Sequence, residues 1–349
     1  MFKLKPLADL ALHRALWWAL LMLSALFQLG DFVLEYTNLG WSDLKISRIG
    51  LGTWQFSEAW GVVNYEVAKS IIAKAHEVGI NFIDTAMVYG RGLSEEFIGR
   101  ALRELNIPRD EVVIATKIPG DFLNPDDVFR AVDKSLKRLG VDSIDLLQLH
   151  WPPCWHNYPT GAYARALERL VALGKVSYIG VSNYPVALID ELRSHLSFTD
   201  IVSMQYRFNL IERWAELELI PYAEANDMTF IPWSPLAKGL LTGKYTPESL
   251  PRFQDVRAGE AVFHPVNMSR VADLISTLKS LAEKYGKTPA QVALNWLIKY
   301  SPVMVPIPGA KTPQQVEENA GSVGWELSYE DWRLLDELSK SIKITYVTW

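Results

Sequence analysis

Four apolar runs recur at a constant spacing in this chain: NFIDT (81–85), VVIATK (112–117), IDLLQLH (144–150) and YIGVSN (178–183). Each run carries a polar residue at or next to its end, and these residues are 33 positions apart: Asp84, Lys117, His150 and Asn183. A parallel strand, its helix and their connections need roughly 30 or more residues. The period therefore predicts four successive strand–helix units that place polar or reactive groups at equivalent strand ends.

The same alternation continues on both sides of this stretch. Further strands are predicted at 49–53, 201–205, 228–233 and 303–308, and helical patterns at 65–78, 94–105, 126–139, 162–173 and 185–195. Eight such units over about 300 residues predict one (β/α)8 TIM barrel, in which the carboxyl ends of the strands carry the chemistry. A helical solenoid of the same period is disfavoured, because β-branched residues precede each polar position.

Three segments lie outside the repeating units. EYTNLG (35–40) and LKISRIG (44–50) alternate in polarity around a short turn and predict an N-terminal β-hairpin. Residues 328–340 have the pattern of an extra C-terminal amphipathic helix, and 236–265 form a long connection after the seventh strand. Because long loops in compact domains are usually functional, this connection is expected to cover a binding site.

The composition indicates a folded and mildly acidic protein. Hydrophobic residues make up 49% of the 349 residues, charged residues make up 21%, and the formal net charge is −5. An acidic chain without basic blocks does not favour nucleic-acid binding. The single cysteine, Cys154, excludes an intrachain disulfide and fits a reducing compartment, so we expect a cytoplasmic protein. No pattern indicates an oligomeric state.

The first 34 residues differ from residues 35–349, which should form the barrel. Residues 15–29 read ALWWALLMLSALFQL, which is apolar throughout. As a helix this run would reach only about 22 Å, which is short of a hydrocarbon core of roughly 30 Å. Three interpretations remain: a short signal anchor that would place the protein at a membrane, an amphipathic surface segment, or translated sequence upstream of the true start.

The polar strand ends predict a proton-transfer site. Tyr89 follows the first of them in DTAMVYG (84–90) and should lie on the loop above that strand. A neighbouring Lys117 ammonium, held by Asp84, is expected to lower the tyrosine pKa from its ordinary value of about 10. His150 reaches the same centre from the next strand. A phenol in this setting is a good proton donor to a carbonyl oxygen at a carbon that receives hydride.

At this level the chain resembles the aldo-keto reductase superfamily, and in particular its general oxidoreductase branch, which includes potassium-channel β-subunits. The resemblance rests on GLGTW (50–54), NFIDTAMVYG (81–90), ATK (115–117), LLQLH (146–150), GVSNY (180–184), Gln205, WSPLAKGLLTGKY (233–245) and IPGAKTPQQVEEN (307–319). It implies a barrel that binds NADPH without a Rossmann domain. It also implies that Tyr89 is the general acid and base, with Asp84, Lys117 and His150 completing a catalytic tetrad.

The resemblance further implies which positions contact the cofactor. These are Thr53, Trp54 and Asp84 near the reacting centre, Ser182, Asn183 and Gln205 at the carboxamide, Trp233 against the nicotinamide, Ser234, Leu236, Lys238 and Lys244 at the pyrophosphate, and Gly309, Lys311, Gln315, Glu318 and Asn319 at the adenosine. Better-known relatives have arginine at the position of Gln315, so Lys311 is the nearby cation for a 2′-phosphate. NADP is expected, with some use of NAD, because lysine lacks the bidentate fork of arginine.

The substrate is expected to be a small aldehyde or ketone in an aromatic cavity. The walls implied for it are Trp54, Tyr89, His150 and Trp151, and Trp155 is a further candidate. Two other functions stay open. The first is a cofactor-binding regulatory module that reports redox state and that would lie at a membrane if residues 1–34 are an anchor. The second is a Schiff-base aldolase that uses Lys117.

Several other sites are disfavoured by their spacing. GLLTGK (239–244) lacks the residues of a phosphate-binding Walker loop, and the chain contains no G-x-G-x-x-G. His150, Cys154 and His156 have no matching set of further ligands, so we expect no metal.

Overall fold

The computed structural model describes residues 34–61, 64–246 and 249–345. The apolar segment 15–29, and the expected extension 1–34 except for Leu34, lie outside the described residues. Within the described ranges, no helix has the length and apolar character needed to span a bilayer.

The predicted N-terminal hairpin is confirmed. Strands β1 (Tyr36–Asn38) and β2 (Lys45–Ser47) pair antiparallel. The turn of the hairpin sits against the amino end of the barrel, since a Cβ on Gly40 would come within 2.3 Å of the Val202 carbonyl oxygen. Leu39 and Ile46 are fully buried and join the barrel interior. The hairpin therefore closes the end of the barrel opposite to the predicted site.

The barrel itself is also confirmed. In the described part of the chain one parallel sheet contains seven strands in chain order: β3 (Leu51–Gly52), β4 (Phe82–Asp84), β5 (Val113–Ile118), β6 (Ile144–Leu149), β7 (Val176–Ser182), β8 (Ile201–Arg207) and β9 (Thr229–Trp233). Helices follow the strands as expected for a (β/α)8 TIM barrel. Their bounds are Tyr65–Glu77, Leu93–Glu104, Pro125–Leu139, Thr160–Ala172, Val186–Ser194, Leu219–Ala225, Pro265–Arg270, Ala272–Tyr285, Pro289–Tyr300, Pro313–Ala320 and Tyr329–Ser341.

The eighth predicted strand, 303–308, is not a regular strand. It makes only isolated parallel bridges, Phe230↔Met304 toward β9 and Gly52↔Gly309 toward β3. Pro306 and Pro308 have no N–H to donate to a ladder, which explains the interruption. Their carbonyls still accept hydrogen bonds from Gly50 and Gly52 at 2.9 and 3.1 Å, so the segment closes the barrel.

The extra C-terminal helix is confirmed as Tyr329–Ser341. It begins where Ser328 accepts a hydrogen bond from the backbone N–H of Asp331, as an N-cap residue does.

We expect Gly52→Ala to destabilise the barrel at its closure. The added Cβ would lie 2.6 Å from the Ile307 carbonyl oxygen, which is backbone and cannot rotate away. Overpacking of this kind costs about 1–3 kcal/mol of unfolding free energy. Chemical denaturation measures the loss. Gly259→Ala is the matched control, because a Cβ there would have no atom of the described residues within 4 Å. Equal stability of the two variants would contradict the close approach.

The interior of the barrel changes from apolar to polar along its axis. The amino-terminal layers contain Phe82, Val113 and Leu146, all buried. Toward the carboxyl ends, Lys117 pairs in register with Gln148, and Ser182 pairs with Gln205. Their neighbours along the strands, such as Leu147 and Met204, face the helices, as a strand period of two requires. The ion pair and the amide side chains thus lie at the rim where the sequence predicts the site.

Candidate active site

A cavity of ≈ 450 Å³ opens at the carboxyl ends of the strands. With the exception of Trp155, it is lined by all the residues for which the sequence predicted cofactor or substrate contact: Thr53, Trp54, Asp84, Tyr89, His150, Trp151, Ser182, Asn183, Gln205, Trp233, Ser234, Leu236, Lys238, Lys244, Gly309, Lys311, Gln315, Glu318 and Asn319. Lys117 is fully buried directly beneath it and does not line it. Trp155 is 83% exposed and also does not line it, so its expected place in the wall is wrong.

A buried ion pair forms the floor of the cavity. Lys117 Nζ donates to Asp84 Oδ1 at 2.5 Å and to the Thr85 carbonyl oxygen at 2.7 Å. Both side chains are almost completely excluded from solvent. Burial lowers the pKa of Lys117, and the neighbouring Asp84 carboxylate opposes that shift. A buried ammonium needs such a partner, because desolvation of an unpaired charge is costly.

Tyr89 lies above this pair on the turn that follows β4. Its hydroxyl is 3.5 Å from Lys117 Nζ, and the same ammonium lies 5.1 Å from the ring centroid. The expected lowering of the tyrosine pKa is wrong for this arrangement: burial, and secondarily the negative charge of Asp84, raise it well above 10. The phenol is therefore protonated at neutral pH.

His150 is a neutral neighbour of the tyrosine. Its ring centroid lies 5.8 Å from that of Tyr89 and 4.5 Å from that of Trp151. Burial, and then the Lys117 charge, lower the His150 pKa well below 6.5. Its Nδ1 atom is buried and has no hydrogen-bond partner among the described residues. A neutral imidazole in this position can orient a polar group by hydrogen bonding but carries no charge.

The structure adds one residue to this centre that the sequence did not single out. Gln148 is fully buried and donates from Nε2 to Asp84 Oδ2 at 3.0 Å. Gln205 donates to the same carboxylate oxygen at 2.8 Å. The available signal was strand alternation, since Gln148 lies two residues before His150 in LLQLH and so faces the same side.

An amide and an indole meet on the opposite wall. Asn183 has a left-handed backbone (φ 58°), which asparagine tolerates better than most residues. Its Nδ2 donates to the His150 carbonyl and to Ser182 Oγ, both at 3.0 Å. Its Oδ1 accepts from Trp233 Nε1 at 3.3 Å. Arg207 lies 4.5 Å from the Trp233 ring centroid. This network holds the indole in a fixed orientation at the cavity wall.

The loop after β9 adopts an unusual backbone. Ser234, Ala237 and Lys238 all have positive φ (52°, 46° and 54°), and such strain in non-glycine residues clusters at binding sites. Lys238 pairs with Glu260 of the long connection and lies 5.1 Å from the Trp54 ring centroid. The long connection thus covers one side of the cavity, as expected from its length.

The far end of the cavity is cationic. Lys311 Nζ donates to the Trp60 carbonyl at 3.1 Å and lies 3.8 Å from Asp255. Burial, and then the nearby Arg257, lower the pKa of Lys311. Arg257 lines the cavity too, and it is held by Asp255 at 2.5 and 2.8 Å. Arg257 was not predicted from the sequence, because it lies in an irregular loop without the periodicity from which the direction of a side chain can be inferred.

The helix Pro313–Ala320 completes this end. Thr312 caps its first turn, and Gln315 Oε1 accepts from the Lys311 backbone N–H at 2.7 Å. Glu318 and Asn319 of the same helix also line the cavity.

No group of three or more His, Cys, Asp or Glu side chains among the described residues could hold a metal ion. Cys154 is exposed, and its Sγ contacts the Pro152 carbonyl.

The aldo/keto reductase family model matches residues 48–340. This chain belongs to the aldo-keto reductase family. As a member it is an NAD(P)H-dependent oxidoreductase, and the resemblance to the superfamily noted in the sequence is confirmed.

Two curated relatives illustrate the family. An aldo-keto reductase of Bacillus subtilis (strain 168) is 35% identical over 309 residues, which are 85% of this chain and 91% of that protein. The NADH-specific methylglyoxal reductase of Escherichia coli (strain K12) is 33% identical over 87% of this chain and 98% of its own length.

Solved structures share the fold. The glycerol dehydrogenase of Gluconobacter oxydans superposes with a TM-score of 0.79 at 30% identity, covering 92% of this chain and 99% of its own. An aldo-keto reductase from Klebsiella pneumoniae in complex with NADPH has a TM-score of 0.71 at 27% identity, covering 88% of this chain and 95% of its own.

Proposed function

We propose that this aldo-keto reductase is an NADPH-dependent carbonyl reductase of small aldehydes or ketones. The observation that carries the proposal is the convergence of the Asp84–Lys117 pair, the Tyr89 hydroxyl and the neutral His150 at one end of a single cavity. The other end of that cavity carries Lys244, Lys311 and Arg257, which suit phosphate groups.

The lining of the cavity fits a dinucleotide. The Trp233 indole offers a flat apolar face for a nicotinamide, and Ser182, Asn183 and Gln205 offer groups that donate to and accept from its carboxamide. The strained loop Ser234–Lys238 and Lys244 lie where the pyrophosphate would run. Crystals of Klebsiella pneumoniae relatives contain NADPH or NADP, which supports this choice.

The chemistry follows from the state of each side chain. When bound, the reduced nicotinamide supplies a hydride to the carbonyl carbon and is itself oxidised. Tyr89, protonated at neutral pH, gives its proton to the carbonyl oxygen, so that the carbonyl becomes an alcohol. The Lys117 ammonium, fixed by Asp84, stabilises the phenolate that remains. His150 and the indole of Trp151 form the wall that orients the substrate.

Turnover of a panel of aldehydes and ketones tests the proposal. The purified full chain is mixed with NADPH or NADH, and the loss of reduced-nicotinamide absorbance is followed for each carbonyl compound. We expect reduction of at least one small aldehyde or ketone. Cofactor binding without turnover of any member of a broad panel would instead favour the regulatory module.

Lys311→Met is expected to reduce the preference for NADPH. Lys311 is the cation for the 2′-phosphate in this proposal, and Gln315 provides no charge to replace it. A hydrogen bond to a charged group contributes about 1.5–3 kcal/mol, so the Kd for NADPH should rise roughly 10-fold to 100-fold. The Kd for NADH, which lacks that phosphate, should change less than about 3-fold. Fluorescence titration with both cofactors measures the ratio. An equal change in the Kd for NADPH and for NADH would show that Lys311 does not bind the 2′-phosphate.

A further inference from the structure

Two buried amides connect the ion pair to the cavity wall. Gln148 Nε2 donates to Asp84 Oδ2 at 3.0 Å, and Gln148 Oε1 accepts from Gln205 Nε2 at 3.0 Å. Gln205 Nε2 also donates to Asp84 Oδ2 at 2.8 Å. Together with Lys117 on Oδ1, three side chains donate hydrogen bonds to the carboxylate of Asp84. Gln148 does not line the cavity, so it touches neither substrate nor cofactor there.

The hydrogen bonds leave one orientation for both amides. An ionised carboxylate only accepts, so Gln148 and Gln205 must both turn their NH₂ groups toward Asp84. With its nitrogen on Asp84, Gln148 presents its oxygen to Gln205. Gln205 Nε2 therefore points toward Asp84 and Gln148, and the oxygen Oε1 of Gln205 can accept from another donor. Within the described residues, no hydrogen bond to that oxygen is found, and Gln205 lines the cavity.

We propose that Gln148 is a positioning residue that fixes the amide of Gln205 and the carboxylate of Asp84 together. This inference rests on the proposed function, in which Gln205 holds the nicotinamide carboxamide. The Gln205 oxygen would then be in place to accept from the carboxamide NH₂ of a bound cofactor, and the same two amides keep Asp84 aligned with Lys117. Gln148 thereby couples the affinity for the cofactor to the alignment of the catalytic ion pair.

The need to fill the barrel interior does not explain why residue 148 is a glutamine. Gln148 has no exposure, and an apolar side chain of similar volume would fill the same space without the cost of burying an amide. Two residues earlier on the same strand face, Leu146 fills the barrel interior as an apolar residue. Gln148 is polar at the position where its NH₂ group can donate to the Asp84 carboxylate and its oxygen can accept from Gln205.

A double-mutant cycle on cofactor binding tests the coupling. The Kd for NADPH is measured for the wild type, Gln148→Met, Gln205→Met and the double variant. We expect each single variant to raise Kd about 10-fold, and the double variant to be no weaker than Gln205→Met alone, since Gln148 acts through that amide. Independent, multiplying effects would overturn the inference, as would an unchanged Kd in Gln148→Met.

Gln148→Glu separates hydrogen bonding from shape. It has nearly the same volume but replaces the donor with a second carboxylate facing Asp84, which like-charge repulsion disfavours. We expect kcat at saturating NADPH to fall at least as far as in Gln148→Met, about 10-fold to 100-fold. Wild-type kcat in both variants would overturn the inference while leaving the role of Tyr89 intact. Failure of the proposed function would instead appear as full turnover in Tyr89→Phe.

Ser203→Ala is the matched control for this series. Ser203 is buried on the same strand as Gln205, and its hydroxyl has no hydrogen-bond partner among the described residues. Its Kd and kcat should stay within about 2-fold of the wild type. Circular dichroism and thermal unfolding of every variant test whether the barrel is retained. Weakened cofactor binding found only in variants with lowered stability would count against a positioning role.

Discussion

Tyr89→Phe should bind NADPH as the wild type does and lose carbonyl reduction by about 10²-fold to 10⁴-fold in kcat, the range that a general acid contributes. The ring remains in its place between Trp54 and His150, with centroids at 6.3 and 5.8 Å, so the cavity wall is preserved. Only the proton that completes reduction is removed. Steady-state kinetics at saturating cofactor, together with a fluorescence titration of NADPH, measure the two effects separately.

Tyr158→Phe is the control for loss of a phenol at the mouth of the barrel. Its hydroxyl donates to the Asp121 backbone carbonyl at 3.0 Å, away from the Asp84–Lys117 pair. Turnover of this variant should stay near that of the wild type. If Tyr89→Phe reduced carbonyl compounds as fast as Tyr158→Phe, another group would have to supply the proton, and the proposed mechanism would fail.

The strand period alone was enough to bring three of the four tetrad positions together. Asp84, Lys117 and His150 end three consecutive parallel strands, and parallel strands of a barrel end at the same rim. The prediction needed no knowledge of side-chain packing, because topology fixes which ends meet. The cofactor positions came from the family resemblance, and all of them line the one cavity.

What the sequence could not provide depends on three-dimensional packing. The direction of the Tyr89 pKa shift depends on how completely the phenol is buried and, secondarily, on its distance from the Asp84 carboxylate, and neither can be read from the sequence. Arg257 reaches the cavity from an irregular connection whose path no periodicity describes. The segment 303–308 has the apolar character of a strand, but its prolines interrupt the ladder and leave isolated bridges.

Lys117→Met is expected to have the second largest effect, because it damages stability and activity together. Removal of the ammonium leaves the Asp84 carboxylate buried with only the amide donors of Gln148 and Gln205. Breaking one side of a buried ion pair typically costs about 3–5 kcal/mol of unfolding free energy. Turnover should fall as well, since nothing remains beside Tyr89 to stabilise a phenolate. Urea unfolding and steady-state kinetics on the same preparation measure both losses.

The double variant Asp84→Asn/Lys117→Met separates the two contributions. With both charges removed, no uncompensated carboxylate is buried, so most of the lost stability should return. Activity should not return, because the tyrosine still lacks its cation. Recovery of turnover along with stability would show that the pair serves only the fold. A Lys117→Met variant as stable as the wild type would contradict the burial of the pair. Stability restored without activity is the outcome that assigns the charges of the Asp84–Lys117 pair to catalysis.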